Sequence, residues 1–236
     1  MNSFNRILAL SVLLSATAQA AVIDDFTTAS TMLEVTAGSS GASNDAGTGI
    51  LGGTRRVDIS NTGAQKITAL GVAAPGFDFY SFDSEADTTG LLSLRYTQPV
   101  AVDLTMGGLH NAFEIVDIQL QGGVVGLQIS LSDTANTQTI GGIDLSSNPS
   151  FGTPRSTSVR FALFDNVDLG AVTEIRFEFL AAAPGTDFAL DLLGTTRVSA
   201  VPEPHVGLLL GAPLALLWAR GTGRRQSRRR AGACVS

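Results

Sequence analysis

Apolar and polar residues alternate with a period of two along most of the chain between residues 21 and 200, and this alternation predicts β-strands. The clearest case is VTEIRFEFLA at residues 172–181, where Ile175, Phe177 and Phe179 are separated by charged residues. The pattern recurs in LLSLRY (91–96), VAVDLTM (100–106), VGLQISLS (125–132), VRFALF (159–164) and FALDLLG (188–194). Each segment therefore has one face for a core and one face for water.

Stretches rich in Gly, Ser, Asn, Asp and Pro separate these segments and predict turns. The longest of them, AGSSGASNDAGTGILGG at residues 37–53, predicts a long loop. Residues 21–200 contain no convincing pattern for an amphipathic helix. We therefore predict an all-β body over residues 21–200, folded as an antiparallel β-sandwich or jelly roll.

The first 20 residues have the pattern of a secretory signal peptide. Arg6 precedes an apolar stretch at residues 7–14, and Ala18 and Ala20 flank Gln19 in a small-residue cleavage site. We expect cleavage after Ala20 and export of the rest of the chain.

The charge of the body limits its partners. Residues 21–200 hold 20 acidic and 8 basic residues, a net charge of −12. Such a surface repels phosphate backbones, so nucleic acid is not an expected partner. The charge suits an envelope protein or one that collects divalent cations. Cys234 is the single cysteine, so the exported body forms no disulfide and depends on packing.

The chain ends in an apolar segment and a basic cluster. Residues 206–219 are apolar or small, and counting through residue 223 gives about 18 residues, enough to approach the roughly 30 Å hydrocarbon core. This predicts a single transmembrane helix, kinked at Pro213. A helix docked on the sandwich is the alternative. The positive-inside rule places the following arginines in the cytoplasm and the body on the periplasmic side of the inner membrane. They are Arg224, Arg225, Arg228, Arg229 and Arg230.

Residues 201–236 resemble the PEP-CTERM sorting signal of Gram-negative bacteria. Pro202, Glu203 and Pro204 match its motif, and the apolar segment and the arginines follow in the same order. The resemblance implies that an exosortase-like membrane enzyme cuts near the motif, leaving the protein at the cell surface or outside the cell. It also implies an association with exopolysaccharide and biofilm.

Parts of the body resemble a galactose-binding-domain-like jelly roll, namely VIDDFTTAS, GILGGTRRVDIS and residues 142–194. In jelly rolls of this kind a calcium ion often ties the first strand to the last. Carboxylates are suitable ligands for calcium. The candidate calcium ligands are therefore Asp24 and Asp25 on the first strand and Asp187 or Asp191 on the last. The alternative is that these carboxylates are simply solvated. No other cofactor is expected.

The body offers little material for catalysis. His110 is its single histidine, and neither a Gly-x-Ser-x-Gly nor a His-Glu-x-x-His motif occurs. We predict a non-enzymatic protein of the envelope or extracellular matrix. A glycan-active hydrolase using two carboxylates is a distant alternative.

A carbohydrate-binding module is the nearer alternative. The dense aromatic patch is FDFYSF at residues 77–82, in which alternation places Tyr80 and Phe82 on the same face. These two rings either pack in the core or form an exposed platform for a sugar.

Overall fold

The computed structural model describes residues 21–74, 77–145 and 153–199. The predicted signal peptide, the Pro-Glu-Pro motif, the apolar segment and the arginine cluster lie outside these ranges, so their predictions stay predictions. Among the described residues, no helix has the length and apolar character needed to cross a membrane.

The described residues form strands joined by turns and two short 3₁₀ turns. The 3₁₀ turns are Leu51–Gly53 and Phe161–Leu163. The strands are β1 Ala21–Asp24, β2 Leu33–Val35, β3 Ser40–Ala46, β4 Thr54–Asn61, β5 Ile67–Ala74, β6 Phe77–Ser84, β7 Gly90–Val102, β8 Ala112–Gln121, β9 Val125–Ser132, β10 Thr137–Leu145, β11 Arg155–Arg160, β12 Val172–Ala181 and β13 Asp187–Thr196.

Within the described part of the chain, the strands build two antiparallel sheets. The seven-stranded sheet has the order β11-β8-β13-β6-β5-β2, with β1 added against β13. The six-stranded sheet has the order β10-β9-β12-β7-β4-β3. The chain crosses from one sheet to the other at most of its connections. The predicted all-β sandwich is confirmed.

The core lies between the two sheets and is filled by the apolar phase of the alternating strands. Phe177 on β12 packs edge-on against Phe113 on β8, with ring centroids 5.6 Å apart. Phe179 packs against Phe188 on β13 at 5.5 Å. All four rings are at most 2% exposed. Burial of each such side chain contributes about 1.5–3 kcal/mol, which is how a body without disulfides holds its sheets together.

Two predicted strands end earlier than the alternation indicates. In VAVDLTM, β7 stops at Val102, because the carboxylate of Asp103 accepts hydrogen bonds from the N–H groups of Thr105 and Gly107 and closes a turn. In VRFALF, β11 stops at Arg160 and a 3₁₀ turn follows. The turn still buries Phe161, so an apolar spacing of two did not require a strand there.

The predicted loop at residues 37–53 is wrong in its middle. Strand β3 occupies Ser40–Ala46 and pairs with β4 along its whole length. Its small polar side chains have low strand propensity. The strand forms nevertheless, because its pairing with β4 uses backbone groups. Strand β3 also lies at the edge of the six-stranded sheet, where a strand can stay largely exposed and needs no apolar face.

Strand β13 departs from strict alternation. Its register with β8 shifts around Leu190, so Leu190 and Leu193 are both buried while Leu192 is only partly buried. A bulge changes the phase of the side chains that follow it.

Candidate functional site

Asp24, a predicted calcium ligand, lies instead in a buried ion-pair network. Its Oδ2 atom is 2.7 Å from Nη1 of Arg55 and accepts a hydrogen bond of 2.8 Å from the Tyr96 hydroxyl. Its Oδ1 atom accepts the backbone N–H of Phe26 at 2.9 Å. Asp45 pairs with the same guanidinium at 2.9 Å. The arginine thus supplies the positive charge that a metal ion was expected to supply.

The aromatic rings around Arg55 complete this network. The guanidinium carbon lies 4.9 Å from the ring centroid of Tyr80 and 5.4 Å from that of Phe26, within cation–π range. Burial disfavours the charge of Arg55, but the charge of Asp24 raises the pKa of Arg55. Burial raises the pKa of Asp24 above its ordinary value, and Arg55 and Tyr96 oppose that rise.

The other predicted calcium ligands have different positions. The Asp25 carboxylate accepts hydrogen bonds from its neighbour Thr27, and Asp187 accepts the backbone N–H of Ser84 at 2.9 Å. Burial raises the pKa values of Asp187 and Asp191, and the charges of nearby Asp83 and Asp78 add to the rise. Within residues 21–74, 77–145 and 153–199, no three carboxylate, histidine or cysteine side chains form a group able to hold a metal ion.

The proposed aromatic platform is wrong. Tyr80 and Phe82 do share a face, as alternation predicts, but that face points into the core, and the two side chains are 0% and 1% exposed. Phe82 stacks on Phe188 at 5.0 Å, and burial raises the pKa of Tyr80 to about 12. Neither ring is available to a ligand.

His110 is structural. It is 5% exposed, and its Nδ1 atom lies 2.7 Å from the hydroxyl oxygen of Thr195 on β13.

A groove on the outer face of the six-stranded sheet is the strongest candidate site. It consists of two adjoining hollows with volumes of about 370 and about 450 Å³, both of which Leu91 lines. We call this feature the outer groove. Its walls come from β3, β4, β7, β12, β9 and β10, so it runs across the sheet. Neighbouring strands are roughly 4.8 Å apart, which gives a length of about 24 Å over six strands.

Strand register arranges the outer groove in rows. One row aligns Arg56 on β4 and Arg176 on β12, which line the groove, with Arg95 on β7 between them and beside the groove. The next row on the same face aligns the side chains of Asp58, Ser93, Glu178 and Gln128. The third aligns Ser60, Leu91, Leu180 and Gly126.

The polar rows are tied together by charged hydrogen bonds. Arg56 donates from Nε and Nη2 to the two carboxylate oxygens of Asp58 at 2.9 and 2.8 Å. Arg176 pairs with Glu178 at 2.6 Å and donates from Nε to Ser93 at 2.9 Å. These bonds link donors and acceptors along the groove.

The third row gives the outer groove an apolar strip. Leu180 is 49% exposed although it lies on a central strand, and Leu91 is partly buried beside it. Gly126 and Gly142 line the same end of the groove. Because neither has a side chain, they leave the two leucines uncovered. An exposed leucine beside the polar rows offers an apolar contact to a ligand.

The outer groove was not predicted from the sequence, although part of its signal is present there. Arg56, Asp58, Arg176 and Glu178 occupy the outward phase of alternating strands. Their charge pattern was visible, but their meeting on one face depends on the order and register of strands far apart in sequence.

No family model matches the sequence, and no curated protein matches it. Several solved structures are similar to it. A family 11 carbohydrate-binding module from Clostridium thermocellum, in complex with a β-1,3-1,4-mixed-linked tetrasaccharide, is 11% identical. That similarity covers 78% of this chain and 98% of the module, with a TM-score of 0.37.

Two further carbohydrate-binding modules give similar values. A family 29 module complexed with mannohexaose is 14% identical over 72% of this chain and 93% of its own, with a TM-score of 0.37. The module TmCBM61, in complex with β-1,4-galactotriose, is 14% identical over 60% of this chain and 88% of its own, with a TM-score of 0.35. The architecture given above comes from the strand pairing of this chain itself.

Proposed function

We propose that this protein is an exported, non-enzymatic polysaccharide-binding protein and that the outer groove holds the polysaccharide chain. The observation that carries the proposal is the combination of an apolar strip, Leu91 and Leu180, with a fixed row of hydrogen-bonding groups in one elongated groove. Sugars present both an apolar ring face and many hydroxyl groups, so this combination suits them.

The shape of the outer groove favours a polymer over a single sugar. Its length across six strands accommodates several rings in succession. The polar row alternates acceptors and donors: the carboxylates of Asp58 and Glu178 accept, and Gln128 donates to Glu178 at 2.8 Å. Hydroxyl groups of a ligand can add to such a row as both donors and acceptors.

The arrangement of the groove carboxylates supports binding over hydrolysis. A glycoside hydrolase needs a protonated acid and a second carboxylate facing the scissile bond. Asp58 and Glu178 are instead each held by an arginine on the same strand, at 2.8 and 2.6 Å. Their geometry suits the positioning of hydroxyl groups.

The location of the protein is part of the proposal. The signal-peptide pattern at residues 1–20 and the PEP-CTERM-like pattern at residues 201–236 support export, an inner-membrane tether and release by an exosortase-like enzyme. A polysaccharide-binding body delivered in this way would act within the extracellular polysaccharide of the producing cell.

Retention of the full chain, solubilised in mild detergent, in polysaccharide-containing gels tests the proposal. The informative variant is Leu180→Ser, which removes apolar contact without changing charge. Leu163→Ser is its matched control, because Leu163 is also 49% exposed but lies in the second 3₁₀ turn, away from the groove.

We expect Leu180→Ser to weaken retention about tenfold, since burying a leucine contributes about 1.5–3 kcal/mol. We expect Leu163→Ser to bind like the wild type. Absence of retention by every polysaccharide in a panel of neutral and acidic polymers would refute the function. Equal retention of the two variants would refute the site.

A further inference from the structure

We infer that the ligand of the outer groove is an acidic polysaccharide whose carboxylate groups are bound by Arg95, which lies beside the groove between Arg56 and Arg176. The inference rests on the proposed function and adds the chemical class of the polymer.

The three arginines are brought together by strand pairing. Arg95 is the register partner of Arg56 on one side and of Arg176 on the other. With strands roughly 4.8 Å apart, the three side chains begin within about 10 Å of one another. Like charges directly opposite each other destabilise a sheet.

Arg95 differs from its two neighbours. Arg56 and Arg176 each pair with a carboxylate two residues along their own strand, whereas the residues two positions before and after Arg95 are Ser93 and Thr97. The Thr97 hydroxyl bonds to Glu174 at 3.3 Å. Across the three described ranges, the partly buried side chain of Arg95 makes no ion pair or hydrogen bond. It presents a guanidinium whose donors are available to a ligand.

The local charge contrasts with that of the whole body. Three of the 8 basic residues between residues 21 and 200 lie in this one row, on a body with a net charge of −12. Such a body repels a densely charged polymer such as double-stranded DNA, which carries one charge per roughly 1.7 Å of helix axis. A polysaccharide with separate carboxylates along its chain experiences less repulsion. The planar guanidinium of Arg95 can bind one of these carboxylates with two hydrogen bonds.

The test compares polygalacturonate with its fully methyl-esterified form, two polymers with the same backbone that differ in charge. The full chain in mild detergent is used, with Arg95→Gln and the control Arg160→Gln. The control removes one charge from an exposed residue on β11 of the other sheet. Affinities are measured at low and at physiological salt, and single-stranded DNA is included as an acidic polymer of another class.

We expect wild-type protein to bind polygalacturonate at least tenfold more tightly than the ester, a difference that salt reduces. Arg95→Gln should abolish that preference, and Arg160→Gln should keep it. Equal binding of the acid and the ester, still sensitive to Leu180→Ser, would overturn the acidic ligand and leave polysaccharide binding intact. DNA binding as tight as that of polygalacturonate would overturn the choice of a sugar polymer.

Discussion

The guanidinium of Arg55 and the carboxylate of Asp24 lie 2.7 Å apart, and both side chains are fully buried. Asp24 ends β1, Arg55 is the second residue of β4, and β1 belongs to the seven-stranded sheet while β4 belongs to the other. The pair therefore joins the two layers through a charge contact inside an apolar core. Asp45 on β3 and Tyr96 on β7 satisfy the remaining polar groups.

Removing the cation should strongly destabilise the fold. In Arg55→Met, two buried carboxylates lose their partner, and breaking a buried pair in this way costs about 3–5 kcal/mol. Urea denaturation of the wild type and the variant measures this loss. Lys66→Met is the control, because Lys66 and Glu34 form a pair of 3.3 Å in which both side chains are 44% exposed. The control should lose less than about 1 kcal/mol. Similar losses in the two variants would contradict a structural role for Arg55.

A close backbone approach should make Gly122 intolerant of a side chain. Gly122 has a φ of +85°, and a Cβ there would collide with the carbonyl oxygen of Gly185. Gly53 has a φ of +77° with open space around it. Gly53→Ala should cost about 1–2 kcal/mol for its left-handed backbone, and Gly122→Ala about 1–3 kcal/mol more for the collision. Thermal denaturation compares the stabilities of the two variants. Equal losses of stability would show that the loop around Gly185 moves to make room for the new Cβ.

The turn between β9 and β10 should contribute a pH-dependent stability. Asp133 accepts backbone N–H groups from Asp168, Ala135 and Asn136, and these bonds hold its pKa below the ordinary value of 3.8. Because the pKa of Asp133 is lower in the folded state, its contribution to the free energy of unfolding is complete at pH values above its ordinary pKa. That contribution is lost as the pH falls through the pKa of the folded state.

The difference in free energy of unfolding between the wild type and Asp133→Asn should therefore be constant near neutral pH and shrink below about pH 4. Urea denaturation at several pH values measures it. Asp144→Asn is the control, since the exposed Asp144 side chain accepts no hydrogen bond in the described part of the chain. An advantage that stays the same down to pH 3 would show that the charge of Asp133 is irrelevant.

The sorting proposal predicts the ends of the mature protein. Intact mass of wild-type protein from the envelope and medium should fit a chain that begins at Ala21 and ends near residues 201–204. Glu203→Ala should keep its arginine tail and stay in the membrane, while Glu85→Ala, on an exposed turn, should be processed normally. Retention of residues 220–236 in the wild type would mean that the tail is a plain anchor.

The sequence predicts those features of the fold that depend on local alternation. Strand β12 follows its pattern from Ile175 to Phe179, because every second side chain there is large and apolar. Strand β3 was missed, because small polar residues carry no such signal and the strand exists through its pairing with β4. The turn that Asp103 closes ends the alternation of apolar and polar positions, and the bulge in β13 shifts it. Composition reveals neither change.

The candidate sites show the same limit at longer range. Arg55 falls in the same phase as Val57 and Ile59, so the sequence already places a charge in the core. Its partner Asp24 is 31 residues away, and no spacing rule connects them. The arginine row is similar, because Arg95 and Arg176 become neighbours only through the pairing of β7 with β12.

The pairing of the first strand with the last has a consequence for chain connectivity. Ala21 lies opposite Thr195, so the two ends of the sandwich leave it side by side. A short linker could close these ends, and new ends could be opened at the exposed turn around Ala135. Such a circular permutant would keep both sheets and would move the ends of the body to the turn between β9 and β10.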